Sequence, residues 1–138
     1  VAYAETRGFA RHKLNGNSMN FLYRGPYVDC AMFPPRSAFI LMVEFIRFCT
    51  EDMPRWNTTN FHGYGVEEAG ANAIQELAFT LSAALALTEE CVKAGLNPDR
   101  FLPRFSFQFA QGNDFFEEIA KIRAARRMWA KITRERFG

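Results

Sequence analysis

Apolar residues recur at helical spacing over three long stretches, with short alternating or aromatic-rich runs between them. The first stretch, Arg36 to Glu51, sets Phe39, Val43, Ile46 and Cys49 or Thr50 on one face and Glu44, Arg47 and Glu51 elsewhere, and Pro54 closes it. The second, Asn72 to Lys93, lines up Ile74, Leu77, Leu81, Leu85 and Thr88. Ala78, Ala83, Ala84 and Ala86 are small enough there for close packing, and Gly95 is placed as a carboxyl-terminal stop. The third starts at Asn113 or Asp114, has Glu117 and Glu118 in its first turn, and puts Phe115, Ile119, Ile122, Trp129 and Ile132 on a stripe.

The runs between read as strands. Trp56 to Phe61 is rich in Thr and aromatics, which suit a pleated, half-buried surface, and Gly63 and Gly65 permit the turn from strand into helix. Arg104 to Phe109 alternates, and Leu14 to Leu22 reads as a strand beside a polar turn. Arg24-Gly25-Pro26 breaks regular structure, and the apolar run Cys30 to Phe33 stops at Pro34-Pro35. Residues 1–13 show no period and read as an N-terminal arm; residues 14–138 read as one domain. Alternation of strand with longer helix predicts an α/β fold of βα units on parallel strands. So few units leave sheet edges open, which implies association with another copy or partner, or membership of something larger.

Composition narrows the class. A chain of 138 residues, 49% apolar and 23% charged, suits one globular domain with a real core. Its net charge of +2 is too small to argue for nucleic acid. The 3 cysteines, Cys30, Cys49 and Cys91, sit in apolar surroundings and read as reduced thiols of a cytoplasmic protein. No CxxC or His/Cys cluster suggests a metal. Even Ala38 to Phe48 is too short for a membrane span and carries Glu44 and Arg47, and no signal peptide is visible. Lys121, Arg123, Arg126, Arg127, Lys131, Arg134 and Arg136 form either a solvated helix face or a surface for phosphates or an acidic partner. Candidate chemistry gathers at His62 and Tyr64, where a strand delivers side chains into a loop; that rim is where parallel α/β proteins build sites.

From Phe33 onward the residues resemble a family. His62 to Ala71, followed by Gln75 to Leu81, is similar to the "SGYHxxEAGA…QELAFTLA" segment of coenzyme-B12-dependent acyl-CoA mutases, the methylmalonyl-CoA mutase family. Leu102 to Phe107 resembles "APRLSFFF", Asn113 to Ala130 resembles "NDFFEEIAKFRAARRLWA", Phe33-Pro34-Pro35 resembles "YIFPP", and Pro54 to Asn57 resembles "PKWN". Between Leu14 and Met32 the family's "LSGTxQND…ARGTYIFPP" is half kept.

That resemblance implies three to four units of a (β/α)8 TIM barrel holding acyl-CoA along its axis. It also implies an isomerase that rearranges a methylmalonyl-CoA-like thioester by a radical mechanism. Adenosylcobalamin would be held largely by a cobalamin-binding subunit or domain with a DxHxxG motif, which this chain lacks. By resemblance Tyr64 lies near the reacting centre, and Gly65 stands where the family has the histidine that hydrogen-bonds the thioester. His62 replaces a serine and is the second catalytic candidate; its other reading is structural. Arg104 and Ser106 match CoA-contacting positions, and Gln108 replaces an aromatic lining the cavity. Asn20 matches the Asn of "QND", and Arg24 is the candidate for the substrate-carboxylate arginine. Three functions follow: part of a mutase, inactive without partner chains in a homo- or hetero-oligomer; a non-catalytic acyl-CoA-binding or structural module; or a mutase of altered acyl range.

Overall fold

The computed structural model describes residues 1–19 and 33–138. In chain order these form α1 (Ala2–Thr6), a 3-10 turn (Arg11–Lys13), β1 (Gly16–Asn17), α2 (Pro35–Asp52), β2 (Trp56–Asn57) and β3 (Thr59–His62). There follow α3 (Tyr64–Glu68), α4 (Ala73–Lys93), α5 (Pro98–Phe101), a 3-10 turn (Leu102–Arg104), β4 (Phe105–Gln108) and α6 (Phe115–Phe137). Both strand pairs are parallel. Gly16 lies opposite Trp56 in β1–β2, and β3–β4 runs from Thr59 opposite Phe105 to His62 opposite Gln108. Parallel neighbours need a crossover, and α3, α4 and α5 supply it between β3 and β4. The chain is thus mixed α/β with short parallel strands. Of the strand expected over Leu14 to Leu22, Gly16–Asn17 is observed; Asn20, Arg24 and Cys30 lie outside the described residues.

Helix ends follow local chemistry. Pro35 opens α2, where its missing N–H costs nothing. Asn72 caps α4 reciprocally: its side chain accepts from Gln75 N at 2.9 Å, and Gln75 Oε1 accepts from Asn72 N at 3.1 Å. At the other end Gly95 takes φ +82°, a conformation that favours glycine, so Leu96 N reaches Cys91 O at 3.0 Å and Gly95 N reaches Val92 O at 2.9 Å. Asp114, rather than Asn113, caps α6, accepting from Glu117 N at 3.2 Å.

The core lies between the helices and one face of β3–β4. Phe61 meets Phe105 edge-on at 5.1 Å and Phe107 in a stack at 5.3 Å, and Phe107 meets the Trp129 ring of α6 at 5.0 Å. Met42 and Ile46 of α2, with Ala84, Leu87 and Cys91 of α4 and Phe101 of α5, close around them. Fully burying each large side chain contributes about 1.5–3 kcal/mol. Cys49 and Cys91 are buried free thiols, and burial pushes their pKa values to about 11 and about 12.

Two expected stripes are corrected. In α4 the buried line is Leu77, Leu81, Ala84, Leu87, Thr88 and Cys91, while Ile74 is 78% exposed. That helix is apolar nearly all round, so the phenyl rings of the strands, not periodicity, select its inner face. In α6 Phe115 and Ile119 are exposed, and the buried residues are Glu118, Lys121 and Ala125. Lys121 therefore leaves the solvated cation face. The N-terminal arm is exposed and tied by Arg11, which pairs with Glu5 and with Asp52 at 3.1 Å; such surface pairs contribute little.

Candidate functional site

Strand side chains alternate between faces, and the register makes that alternation productive. Asn60 lies opposite Ser106 and His62 opposite Gln108, so these four occupy the face away from Phe61 and Phe107. Asn60 Nδ2 donates to Ser106 Oγ at 3.1 Å, and Ser106 Oγ donates to Thr59 O at 3.1 Å. Asn60 Oδ1 is buried and accepts no hydrogen bond among the described residues. Asn60 was missed in the sequence; the signal for it was its place two residues before His62 on a strand.

At the carboxyl end of β3 the chain turns into α3. His62 Nδ1 accepts from Gly65 N at 3.3 Å, so the imidazole caps the amide that follows Tyr64. With Nδ1 accepting, a neutral ring carries its proton on Nε2. His62 is 8% exposed; Tyr64, 42% exposed, stands edge-to-face to it with ring centres 5.5 Å apart. The buried histidine is thus beneath the rim and the tyrosine is on it.

Arg104 belongs to the opposite end. It closes the 3-10 turn before β4 and its carbonyl accepts from Thr58 N at 3.2 Å. The four-residue step from Arg104 to Gln108 corresponds to about 13 Å of extended chain at strand rise. The structure therefore gathers His62, Tyr64 and Gln108 at the carboxyl ends, places Ser106 with Asn60 midway, and leaves Arg104 at the amino end. Asn20 and Arg24 are outside the described residues.

Directly under the rim is a buried ionic cluster. Lys121 Nζ lies 2.7 Å from Glu76 Oε2, 2.8 Å from Glu118 Oε2 and 3.3 Å from Glu67 Oε2, and donates to Ala110 O at 2.9 Å. Glu76 Oε1 accepts from Ala110 N at 2.7 Å. Burial alone would lower the Lys121 pKa, but its bonds to Glu118 and Glu76 outweigh that and raise it. Burial dominates at Glu76 and raises its carboxyl, whereas the Lys121 ammonium holds Glu118 below the usual carboxylate value. The sequence offered one hint, the Glu118–Lys121 spacing of adjacent helix turns.

A separate groove of about 650 Å³ runs between α2 and α4, lined by Phe39, Ile40, Val43, Ala86 and Glu90 among others. Every lining residue belongs to α2, to α4 or to Ala94 just after it, so the groove takes no part in the strand-end site.

Parallel strands joined through helices, with polar side chains collected at their carboxyl ends, define an α/β protein. The chain belongs to the methylmalonyl-CoA mutase family, whose model matches residues 1–138. It is 37% identical to the methylmalonyl-CoA mutase of Rhizobium meliloti over 98% of this chain and 19% of that protein. It is 36% identical to the 2-hydroxyisobutanoyl-CoA mutase large subunit of Aquincola tertiaricarbonis, over 100% of this chain and 25% of that one. The human mitochondrial methylmalonyl-CoA mutase is 36% identical over 99% of this chain and 18% of its own length. The chain thus spans about a fifth to a quarter of the curated relatives it matches. No described helix is long and apolar enough to cross a membrane.

Proposed function

We propose that this chain is part of an acyl-CoA mutase, an intramolecular isomerase, and supplies one wall of its thioester-binding cavity. The observation that carries the reading is the register of β3 and β4, which lines Asn60, Ser106, His62 and Gln108 along one strand face ending beside Tyr64. A long, amide-bearing thioester suits such a face: Asn60 Oδ1 is a buried acceptor with no partner among the described residues, and Gln108 offers both donor and acceptor at the rim. In this reading Gln108 and Tyr64 meet the acyl end, and Arg104, lower on the same strand path, meets phosphate. The strands form part of a (β/α)8 barrel whose remaining units lie outside these residues, since a whole barrel takes about 250 residues.

Adenosylcobalamin would be held mainly by another domain or chain, and when bound it supplies a radical by homolysis of its cobalt–carbon bond. Tyr64 fits that group as a flat, half-exposed aromatic surface at the strand ends. The chain's own residues would orient the thioester and exclude water. The buried thiols motivate the cytoplasmic assignment, and the family resemblance motivates a partner carrying the cobalamin site.

One observation favours a second reading, a non-catalytic acyl-CoA-binding or structural module. Position 65 is glycine, and its amide occupies Nδ1 of the nearest imidazole, His62. Mixing the chain with adenosylcobalamin, a cobalamin-binding partner and methylmalonyl-CoA separates the two. Turnover is expected only from the complete mixture, and Tyr64→Phe should lower kcat on the order of tenfold through lost positioning. Thioester binding without turnover supports the module; turnover by the chain and cofactor alone contradicts the need for a partner.

A further inference from the structure

The polar groups beneath the strand ends are arranged around backbone, not around a ligand. Ala110, the second residue after β4, has both backbone atoms engaged: its N–H by Glu76 Oε1 at 2.7 Å and its carbonyl by Lys121 Nζ at 2.9 Å. The same Glu76 oxygen lies 3.0 Å from where a Cβ on Gly63 would sit, at the turn after β3. Lys121 reaches α3 through Glu67 at 3.3 Å, and Glu118 packs beside the loop after β4, its Oε1 3.4 Å from where a Cβ on Gly112 would sit. One ammonium and its carboxylates therefore touch both strand-end turns, α3, α4 and α6. Lys121 is 1% exposed in its side chain and Glu76 0%. Replacing a buried ion pair by well-packed apolar residues is often neutral or stabilising, so the ion pairs themselves give little reason to keep the cluster.

We propose that Lys121 and Glu76 are positioning residues that lock the turns after β3 and β4 into one rigid rim, fixing Tyr64 and Gln108 relative to each other. What the rim positions rests on the acyl-CoA reading above; the locking itself does not.

Amide hydrogen exchange on the full chain tests it, using Glu76→Leu, Glu118→Leu and Lys121→Met combined so that no charge is left buried alone. Because the buried Ala110 N–H and carbonyl both lose their partners, the triple variant is expected to unfold at a modestly lower urea concentration, a change smaller than the rim's own loss of protection. Its Ala110 amide, and those of Gly65 and Val66, should exchange on the order of 100-fold faster, because charge-assisted bonds are gone. Rim amides as protected as in the parent would overturn the proposal. So would a loss of protection spread equally through α2 and α4, which marks a global stability role. Should the triple variant not fold, Glu67→Gln at the half-exposed end of the cluster should speed exchange at α3 amides and leave α2 unchanged; unchanged α3 amides would overturn the link to α3. Calorimetry with methylmalonyl-CoA on the same samples keeps the two readings apart. A parent that binds no thioester defeats the acyl-CoA reading while leaving the exchange result intact. A loosened rim that binds as tightly as the parent defeats the positioning role.

Discussion

Gly63 shows how tightly single residues are held at the rim. A Cβ there would come within 2.6 Å of Thr80 Oγ1, 3.0 Å of Glu76 Oε1 and 3.1 Å of Phe109 Cδ1. Gly63→Ala is expected to cost about 1–3 kcal/mol as an overpacked site, read as a lower urea midpoint at unchanged slope. The ionic cluster makes stability depend on pH in a defined sense. Glu118 is held below its ordinary value of 4.5, so its contribution is present above that pH and is lost as pH falls through its folded value. Lys121 is raised above 10.5, so its contribution persists below that pH and is lost on climbing through its folded value. Glu76, raised by burial, acts oppositely to Glu118 and favours the folded state most when protonated. Glu118→Gln should therefore flatten the loss of stability as pH falls below 4.5, followed by urea unfolding at each pH. An acid limb as steep as the parent's would show that other carboxylates set it. Of these residues the sequence exposed His62 and Tyr64, because glycines after an aromatic strand mark a rim. It concealed Lys121, one cation among many on α6, because its burial depends on Glu67 and Glu76 from distant parts of the chain.

Helices were the legible elements, since each has an end signal written in neighbouring residues. Asn72 and Gln75 start α4, Gly95 stops it, and Asp114 starts α6. Asn72→Ala should cost about 1 kcal/mol by removing the reciprocal cap, with Asn72→Asp retaining most of it; thermal unfolding of the three proteins checks this. Equal midpoints for parent and alanine variant would mean that packing against β3 alone sets the start of α4. Less legible was which face each helix buries. The Phe61, Phe105 and Phe107 rings choose Ala84 and Leu87, and Phe107 with Phe109 chooses Leu77, over Ile74, a choice made by contacts far apart in sequence. Strand register was likewise invisible, because pairing Asn60 with Ser106 and His62 with Gln108 is a long-range event. That register turns a set of scattered polar residues into a continuous face.

At the scale of the molecule, the described residues give parallel βα architecture with one apolar strand face against helices and Asn60, His62, Ser106 and Gln108 on the other face. The family match over residues 1–138 agrees with the resemblance carried by the segments around His62, Arg104 and Asn113. The chain holds about a fifth to a quarter of its relatives' length, so its activity is a property to be tested with partners present. Of the departures from the resembled segments, His62, Gly65 and Gln108 sit on or beside the polar face, and Met19, which stands for a glutamine, follows β1.

The most direct measurement is a titration of the isotope-labelled chain with methylmalonyl-CoA, followed by NMR at millimolar ligand. Binding to the polar face predicts shifts at Asn60, Tyr64, Ser106 and Gln108, with affinity falling about tenfold or more in Arg104→Ala as a charged contact is lost. Shifts confined to Phe39, Ile40 and Val43 in the groove between α2 and α4, or no shifts at all, would contradict a thioester site on β3 and β4.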